Sequence, residues 1–303
     1  MEKAMRVFIT GGTGFVGSGV IRELIAAGHA VTGLARTSEG IDKLTAAGVT
    51  AKPGDLTDLA TLRAAAADAD AVVHCGFSHD FSKHMEAIEM DRNAIGALLD
   101  GLGDGSGPKV FVGTFGTAGL PAGRVGTELD AATGDLSPRG LTERLVLAAA
   151  DRGVRSAVLR LPPSVHGPAD KGFVPMLMDL ARKTGVAAYL GAGDNRWPAV
   201  HRDDAAALYR LAVEKLADGS LLPGFRLHAV GDAGVPFRDI AGAIADQLKL
   251  GPAEPRGADH FGWFARFAAI DNPVSAAITE RETGWRPTRP GLLADVRGPA
   301  YGR

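Results

Sequence analysis

A chain of 303 residues with 33 basic and 35 acidic side chains is long enough to bury one large core or two joined ones, and it has no surplus of positive charge with which to hold a nucleic acid or an anionic membrane. Its single cysteine, Cys75, excludes an intrachain disulfide and a cysteine-rich metal site and fits a reducing cytoplasm. No apolar run approaches the length of a membrane span, and the first residues lead into a strand pattern rather than a cleavable apolar segment, so a cytoplasmic protein with a small-molecule partner is expected. High alanine and glycine with few aromatics points to a GC-rich bacterial coding sequence.

The first predicted element is a short apolar strand, Val7 to Thr10. It runs into Gly11-Gly12-Thr13-Gly14-Phe15-Val16-Gly17 and then a helix over 16–27 with apolar positions at Val16, Val20, Leu24 and Ala27. Each glycine of the triplet has its own physical task. Gly11 lets the chain turn sharply off the strand, Gly14 removes a side chain where backbone must approach a pyrophosphate, and Gly17 lets helix pack closely on strand. The helix N-terminus offers N–H groups and partial positive charge to phosphates, so Gly11, Thr13, Gly14, Phe15, Val16 and Gly17 form the expected dinucleotide cradle. A tight strand-to-helix turn without a ligand is the alternative.

Further β-like runs follow at Ala30 to Ala35, Thr50 to Lys52, Ala71 to Cys75, Val110 to Gly113 and Ala157 to Leu161, separated by helical patterns at 40–47, 59–67, 84–100 and 140–152. This alternation predicts an α/β fold, a doubly wound parallel sheet of Rossmann type with ligands outside the carboxyl ends of its strands. After Leu161 the rhythm loosens, because Pro162, Pro163, Pro168, Pro175, Pro198 and Pro223 cut the chain into shorter pieces. Helices are expected at 174–183 and 203–215, a strand at 225–230, a helix from Pro236 to Leu248 and a terminal helical region at 257–283. Residues 1–165 therefore read as a dinucleotide-binding domain. Residues 166–303 read mainly as a smaller substrate-binding lobe, with some elements returning to the first domain.

In such a fold the end of the second strand lies beside the adenosine ribose. Arg36 stands there, nineteen residues after Gly17, where a guanidinium can pair bidentately with a 2′-phosphate and stack on adenine. NADP is favoured, while the nearby Glu39 and Asp42 leave NAD open. Asp55, in Gly54-Asp55-Leu56 after the third strand, is placed to accept from the adenine amino group, and Gly76-Phe77 after the fourth lets backbone approach the ribose and pyrophosphate.

With these residues the chain resembles the extended, epimerase-like branch of the short-chain dehydrogenase/reductase superfamily. The match runs through Thr10 to Gly17, Gly54-Asp55-Leu56, Val72-Val73-His74, Asn93-Ala94-Ile95-Gly96, Leu159-Arg160-Leu161-Pro162 and Val165-His166-Gly167-Pro168, then Val200 to Asp204 and Thr283 to Pro287. The resemblance implies a nicotinamide dinucleotide with Leu56, Pro162 and Val165 beside it, a substrate between sheet domain and C-terminal lobe, and a homodimer face on the helices at 84–100 and 140–152.

The family's catalytic pair is a Tyr and a Lys four residues apart on one helix face, where the ammonium lowers the phenol pKa and holds the nicotinamide ribose. Here the only tyrosines are Tyr189, Tyr209 and Tyr301, none followed by a lysine at that spacing. Arg139 and Glu143 take the two positions, either as an i,i+4 ion pair or with Glu143 accepting ribose hydroxyls and Arg139 stabilising a developing oxyanion. An arginine scarcely donates a proton. Thr114 and Thr117, on the loop where Phe115 replaces the usual Ser, are candidates to polarise a carbonyl, or bond to loop backbone. His166 is a candidate acid, with structural packing as the alternative. Trp197 and His201 are candidates to line the substrate pocket, His74 and His79 flank the cofactor loop, and no metal-ligand spacing is present. The reading that follows is an NADP(H)-dependent oxidoreductase of non-standard catalytic site, acting on a small carbonyl, enone or alcohol. A non-catalytic dinucleotide sensor is the alternative, and a nucleotide-sugar epimerase or dehydratase ranks below both.

Overall fold

The alternation of buried runs and amphipathic stretches folds as β1 (Arg6–Thr10), α1 (Phe15–Ala26), β2 (Ala30–Ala35), α2 (Ser38–Ala46), β3 (Thr50–Pro53), α3 (Leu59–Asp68), β4 (Ala71–His74), α4 (His84–Asp104), β5 (Lys109–Gly116), α5 (Gly140–Ala148) and β6 (Val154–Leu161). The remainder forms β7 (Ser164–His166), α6 (Phe173–Thr184), β8 (Ala188–Tyr189), β9 (Arg196–His201), α7 (Arg202–Asp218), β10 (Phe225–His228), β11 (Asp232–Pro236), α8 (Phe237–Leu248) and β12 (Glu254–Pro255), followed by the short helices α9 (Ala258–Phe261), α10 (Ala265–Ala268), α11 (Ala277–Thr283) and α12 (Leu292–Val296). These elements come from a computed structural model that describes residues 4–78, 83–105, 107, 109–132 and 138–302.

A seven-stranded sheet has the order β10-β6-β5-β4-β1-β2-β3, and every pairing in it is parallel. Strand order reverses at β1, which pairs with β2 on one side and β4 on the other, so a crevice opens at the carboxyl ends of β1 and β4. Alternation along β1 sends Val7 and Ile9 into the layer shared with α1 and α7, and Phe8 into the opposite layer with Leu62, Leu98 and Val146. Val72 and Val73 are fully buried, as a central parallel strand requires.

A second core gathers Val174, Met178, Trp197, Phe237, Ile240, Phe264 and Val296 between α6, α8 and the C-terminal helices. It is backed by a three-stranded sheet, β11-β9-β7, which the sequence did not reveal. Pro198 lies in the central strand of that sheet, and the β9–β11 pairing is interrupted beside it, where register shifts between Asp232 and Val235. A residue without an N–H is tolerated at such a break. The expected terminal helical region over 257–283 is instead a series of short turns, broken where Gly262 takes φ +54°. Likewise the helix expected to reach residue 152 tightens to a 3₁₀ turn at Ala149–Arg152 and ends on Gly153 at φ +82°. No helix among the described residues is long and apolar enough to cross a membrane.

Two stretches distant in sequence are tied by one carboxylate. Asp204, buried in the first turn of α7, accepts from Thr288 N (3.0 Å), Thr288 Oγ1 (3.1 Å) and Arg289 N (2.9 Å), while its carbonyl accepts from Trp285 Nε1 at 2.9 Å. Asp204→Ala strands the Thr288 and Arg289 donors while leaving the Trp285 bond to the backbone carbonyl, and is expected to lower unfolding free energy by about 2–4 kcal/mol in urea titration. A loss below about 0.5 kcal/mol would show that the clamp does not hold the C-terminal segment.

Candidate active site

The glycine loop is shaped by contacts that leave no room for side chains. Gly11 sits at φ +69°, and a Cβ there would lie 2.6 Å from the Cys75 carbonyl carbon and from Gly76 N. A Cβ on Gly17 would lie 2.2 Å from Gly11 O. Gly14 begins α1 without a side-chain cap, and no acidic residue occupies the helix's first turn. Those are the conditions under which a helix N-terminus accepts an anion. Thr13 and Gly14 are exposed, Val16 is half-buried against the core, and the Phe15 ring is covered by the Arg202 guanidinium at 4.9 Å.

Around the crevice, Arg36 is exposed just past β2. Asp55 Oδ1 accepts from Thr57 N (2.7 Å) and Thr57 Oγ1 (2.5 Å), and the Thr57 hydroxyl holds its carboxyl below the usual range, helped by the charge of Arg36. That oxygen already serves the local turn. Leu56 packs close to Gly76, with its Cδ2 3.3 Å from where a Gly76 Cβ would be, and Pro162 is buried and Val165 half-buried at the far side.

Beneath the loop runs a buried polar chain. Thr10 Oγ1 accepts from Gly76 N (3.1 Å) and lies 2.8 Å from His74 Nδ1, while His74 Nε2 lies 3.1 Å from Asp91 Oδ1. A carboxylate only accepts, so Nε2 carries the proton and the Thr10 hydroxyl donates to Nδ1. Asp91 Oδ2 takes Arg139 Nε (3.1 Å) and Nη2 (2.9 Å), and Nη2 also donates to the Thr114 carbonyl at 2.9 Å. Burial works to raise the Asp91 pKa, but the His74 hydrogen bond and the Arg139 charge outweigh it and hold the carboxyl below its ordinary value. The Arg139 guanidinium lies between the rings of Phe77 (4.5 Å) and Phe115 (4.6 Å). Asp91 escaped the sequence reading, although its signal was present: it falls on the apolar stripe formed by Ala87, Ile88, Ala94, Ile95 and Leu98.

Arg139 and Glu143 do not pair. Glu143 is 2 % exposed, and its oxygens take Arg160 Nη2 (2.5 Å), Arg160 Nε (3.0 Å) and Arg226 Nε (2.9 Å). The expected role in accepting ribose hydroxyls is corrected on this ground, since the carboxylate is enclosed and neutralised by two arginines. His228 completes the network, with Nε2 3.2 Å from Arg160 Nη1 and Nδ1 2.9 Å from the Ser275 carbonyl, which requires the neutral ring with its proton on Nδ1.

The hydroxyl candidates separate. Thr114 is half-buried and its Oγ1 lies 2.7 Å from the Tyr209 hydroxyl and 3.6 Å from Cys75 Sγ. Burial pushes the Cys75 thiol up to about 11 and raises the Tyr209 phenol well above its usual value, so both stay protonated. Thr117 is fully buried; its Oγ1 donates to Asn272 Oδ1 at 2.7 Å while Asn272 Nδ2 donates back to its carbonyl. That reciprocal pair removes Thr117 from the candidates. His166 is also fully buried, fixed by Asp295 Oδ2 at 2.8 Å from Nδ1, and so is a packing residue rather than an acid. His201 Nδ1 accepts from Asp203 N at 3.1 Å and caps α7. Trp197 is 0 % exposed, packed edge-on to Phe237 with centroids 4.9 Å apart inside the second core. His79 lies outside the described residues, among which no group of three or more His, Cys, Asp or Glu is placed to hold a metal.

The family model of the NAD dependent epimerase/dehydratase family matches residues 7–221, which takes in the glycine loop, the buried chain and α7. The chain belongs to that family. It is thereby an NAD(P)-dependent oxidoreductase of the extended short-chain dehydrogenase/reductase type. An uncharacterized protein of Schizosaccharomyces pombe is 43 % identical over 301 residues, covering 98 % of this chain and 100 % of the relative. A 2-alkyl-3-oxoalkanoate reductase of Stenotrophomonas maltophilia is 30 % identical over 262 residues, covering 83 % and 77 %. The crystal structure of a UDP-glucose-4-epimerase with bound NAD from Stenotrophomonas maltophila superposes with a TM-score of 0.76 at 20 % identity, covering 97 % of this chain and 96 % of that one, which shows a shared fold. Within this epimerase/dehydratase-family chain, the glycine loop, Gly76 and Phe77 follow the carboxyl ends of β1 and β4, and Arg139 reaches the Thr114 carbonyl near the end of β5.

The Arg160–Glu143–His228 network makes stability depend on pH. Burial lowers the His228 pKa from 6.5 to about 4, so between these values the unfolded chain binds a proton that the folded one refuses. Stability is expected to fall as pH drops from 6.5 toward 4, by about 3 kcal/mol over the window. Denaturant unfolding of His228→Gln should show a correspondingly flatter profile there; unchanged slopes in both proteins would contradict the assignment.

Proposed function

We propose that this chain is an NADP(H)-dependent reductase or dehydrogenase of a small carbonyl compound, working without the family's Tyr and Lys. The observation that carries the reading is the convergence, at the carboxyl ends of β1, β4 and β5, of a side-chain-free glycine cradle with a fixed cation, Arg139, and an oriented hydroxyl, Thr114. The loop fits a dinucleotide because bare backbone contact at Gly11 and Gly17 sets the uncapped N-terminus of α1, with no acidic residue in its first turn, directly past the end of β1. Residues of the glycine loop and Gly76 would hold the pyrophosphate and ribose, with Arg36 taking the 2′-phosphate.

The bound dinucleotide supplies hydride chemistry. The chain's own part is to place the carbonyl and balance its charge. Thr114 Oγ1 and the Tyr209 hydroxyl lie 2.7 Å apart and either can donate, while the threonine hydroxyl also donates weakly to Cys75 Sγ at 3.6 Å; with Tyr209, held protonated, as the donor, the threonine hydrogen turns from Cys75 to a substrate oxygen. Arg139, pinned by Asp91, stabilises the negative charge that grows on that oxygen. The likeness to a 2-alkyl-3-oxoalkanoate reductase supports a small keto compound as substrate. The same reading seats a second copy of the chain on α4 and α5, where Met85 and Leu141 are 68 % and 59 % exposed.

Two measurements test this. Arg36→Glu should weaken NADPH binding about tenfold or more while leaving NADH within about twofold, by cofactor fluorescence; equal losses would sink the NADP assignment. On a panel of 3-oxo acids, ketones and enones with NADPH oxidation as readout, Arg139→Gln should lower kcat/KM about 10²-fold. Turnover unchanged by that substitution would remove Arg139 from the mechanism, and tight cofactor binding with no turnover on any compound would move the chain to the sensor reading.

A further inference from the structure

We infer that Asp91 is a positioning residue that binds Arg139 and the dinucleotide cradle into one unit, through the chain Gly76–Thr10–His74–Asp91–Arg139. The inference rests on the proposed placement of a dinucleotide on the glycine loop. Thr10 is the last residue of β1, immediately before Gly11, and its hydroxyl also receives the Gly76 amide, so one oxygen joins the roots of both cofactor loops. From that oxygen the hydrogen bonds run in one direction through His74 to one oxygen of Asp91, and the other oxygen holds the guanidinium.

Thr10, His74 and Asp91 are each 0–1 % exposed, whereas the Arg139 side chain is 19 % exposed. The buried members are therefore fixed, and Arg139 is the end that meets the crevice. Asp91 has no spare oxygen with which to retain Arg139 in a different position while keeping His74. A shift of either loop is transmitted to the guanidinium, and a change at the guanidinium is felt at the cradle. Phe77, the residue after Gly76, stacks on the same guanidinium and closes the circuit. Reciprocity of coupled sites then requires that Arg139 contribute to dinucleotide affinity through Asp91.

The test is a double-mutant cycle on the full chain, with NADPH and NADH as probes and cofactor fluorescence as readout, and with melting temperature recorded on the same samples. Asp91→Asn and Arg139→Gln should each weaken NADPH about tenfold, and the double variant should be no more than about twofold weaker than the poorer single one. A residue that merely supports the fold would lower the melting temperature without this non-additivity. Thr10→Val, isosteric and lacking the shared oxygen, runs the same cycle against Arg139→Gln and should behave alike if Asp91→Asn does not fold. Losses that multiply in the double variants, or affinity unchanged in the singles while the parent chain binds, would overturn the inference alone. A parent chain that binds neither NADPH nor NADH would overturn the dinucleotide reading and the inference with it.

Discussion

A Cβ on Gly17 would stand 2.2 Å from the Gly11 carbonyl oxygen, and one on Gly11 would meet Cys75 and Gly76 backbone at 2.6 Å, so β1, α1 and the loop after β4 touch as bare backbone. Strand order reverses at this contact, with β1 between β2 and β4. Because nothing larger than hydrogen fits, the N-terminus of α1 is brought up to the ends of β1 and β4, with the Gly76 amide turned inward onto the Thr10 hydroxyl. The buried hydroxyl of Thr10 and the rings of Phe15 and Phe77 then fix the loops from below and from the sides.

Charge is distributed around that contact in two separate networks. Arg139 is held at the crevice by Asp91, with its planar face between two phenyl rings, while Glu143 one turn along α5 is enclosed by Arg160 and Arg226 beneath the sheet edge. The two groups are adjacent on one helix and act in different surroundings. A fully buried arginine such as Arg160 requires a carboxylate with near-ideal geometry, and Glu143 supplies it from both oxygens. What the site receives from α5 is a guanidinium already paired with the Asp91 carboxylate, and among the described residues no tyrosine–lysine pair stands beside it.

Much of the sheet was legible in the chain because parallel central strands are buried on both faces, and runs such as Ala71-Val72-Val73 declare it. The glycine loop was legible because its spacing reports backbone contacts directly. β9 was hidden by Pro198, whose missing N–H marks an interruption of the pairing rather than the absence of a strand. Side-chain roles were less legible because they depend on partners far away in sequence. Thr117 is taken by Asn272, His166 by Asp295, and Thr114 is oriented by Tyr209, a residue set aside for lacking a lysine four positions on. Arg139 and Glu143 have the spacing of an ion pair, and both found stronger partners across the fold.

In the proposed function, one crevice brings together a dinucleotide, Thr114 and Arg139. A crystal structure of the chain with NADPH tests it most directly. The pyrophosphate is expected on the N-terminus of α1, the 2′-phosphate beside Arg36, and the nicotinamide next to the Thr114 hydroxyl and the Arg139 guanidinium. A nicotinamide lying away from both residues, or a dinucleotide seated anywhere but on the Gly11 to Gly17 loop, would contradict it.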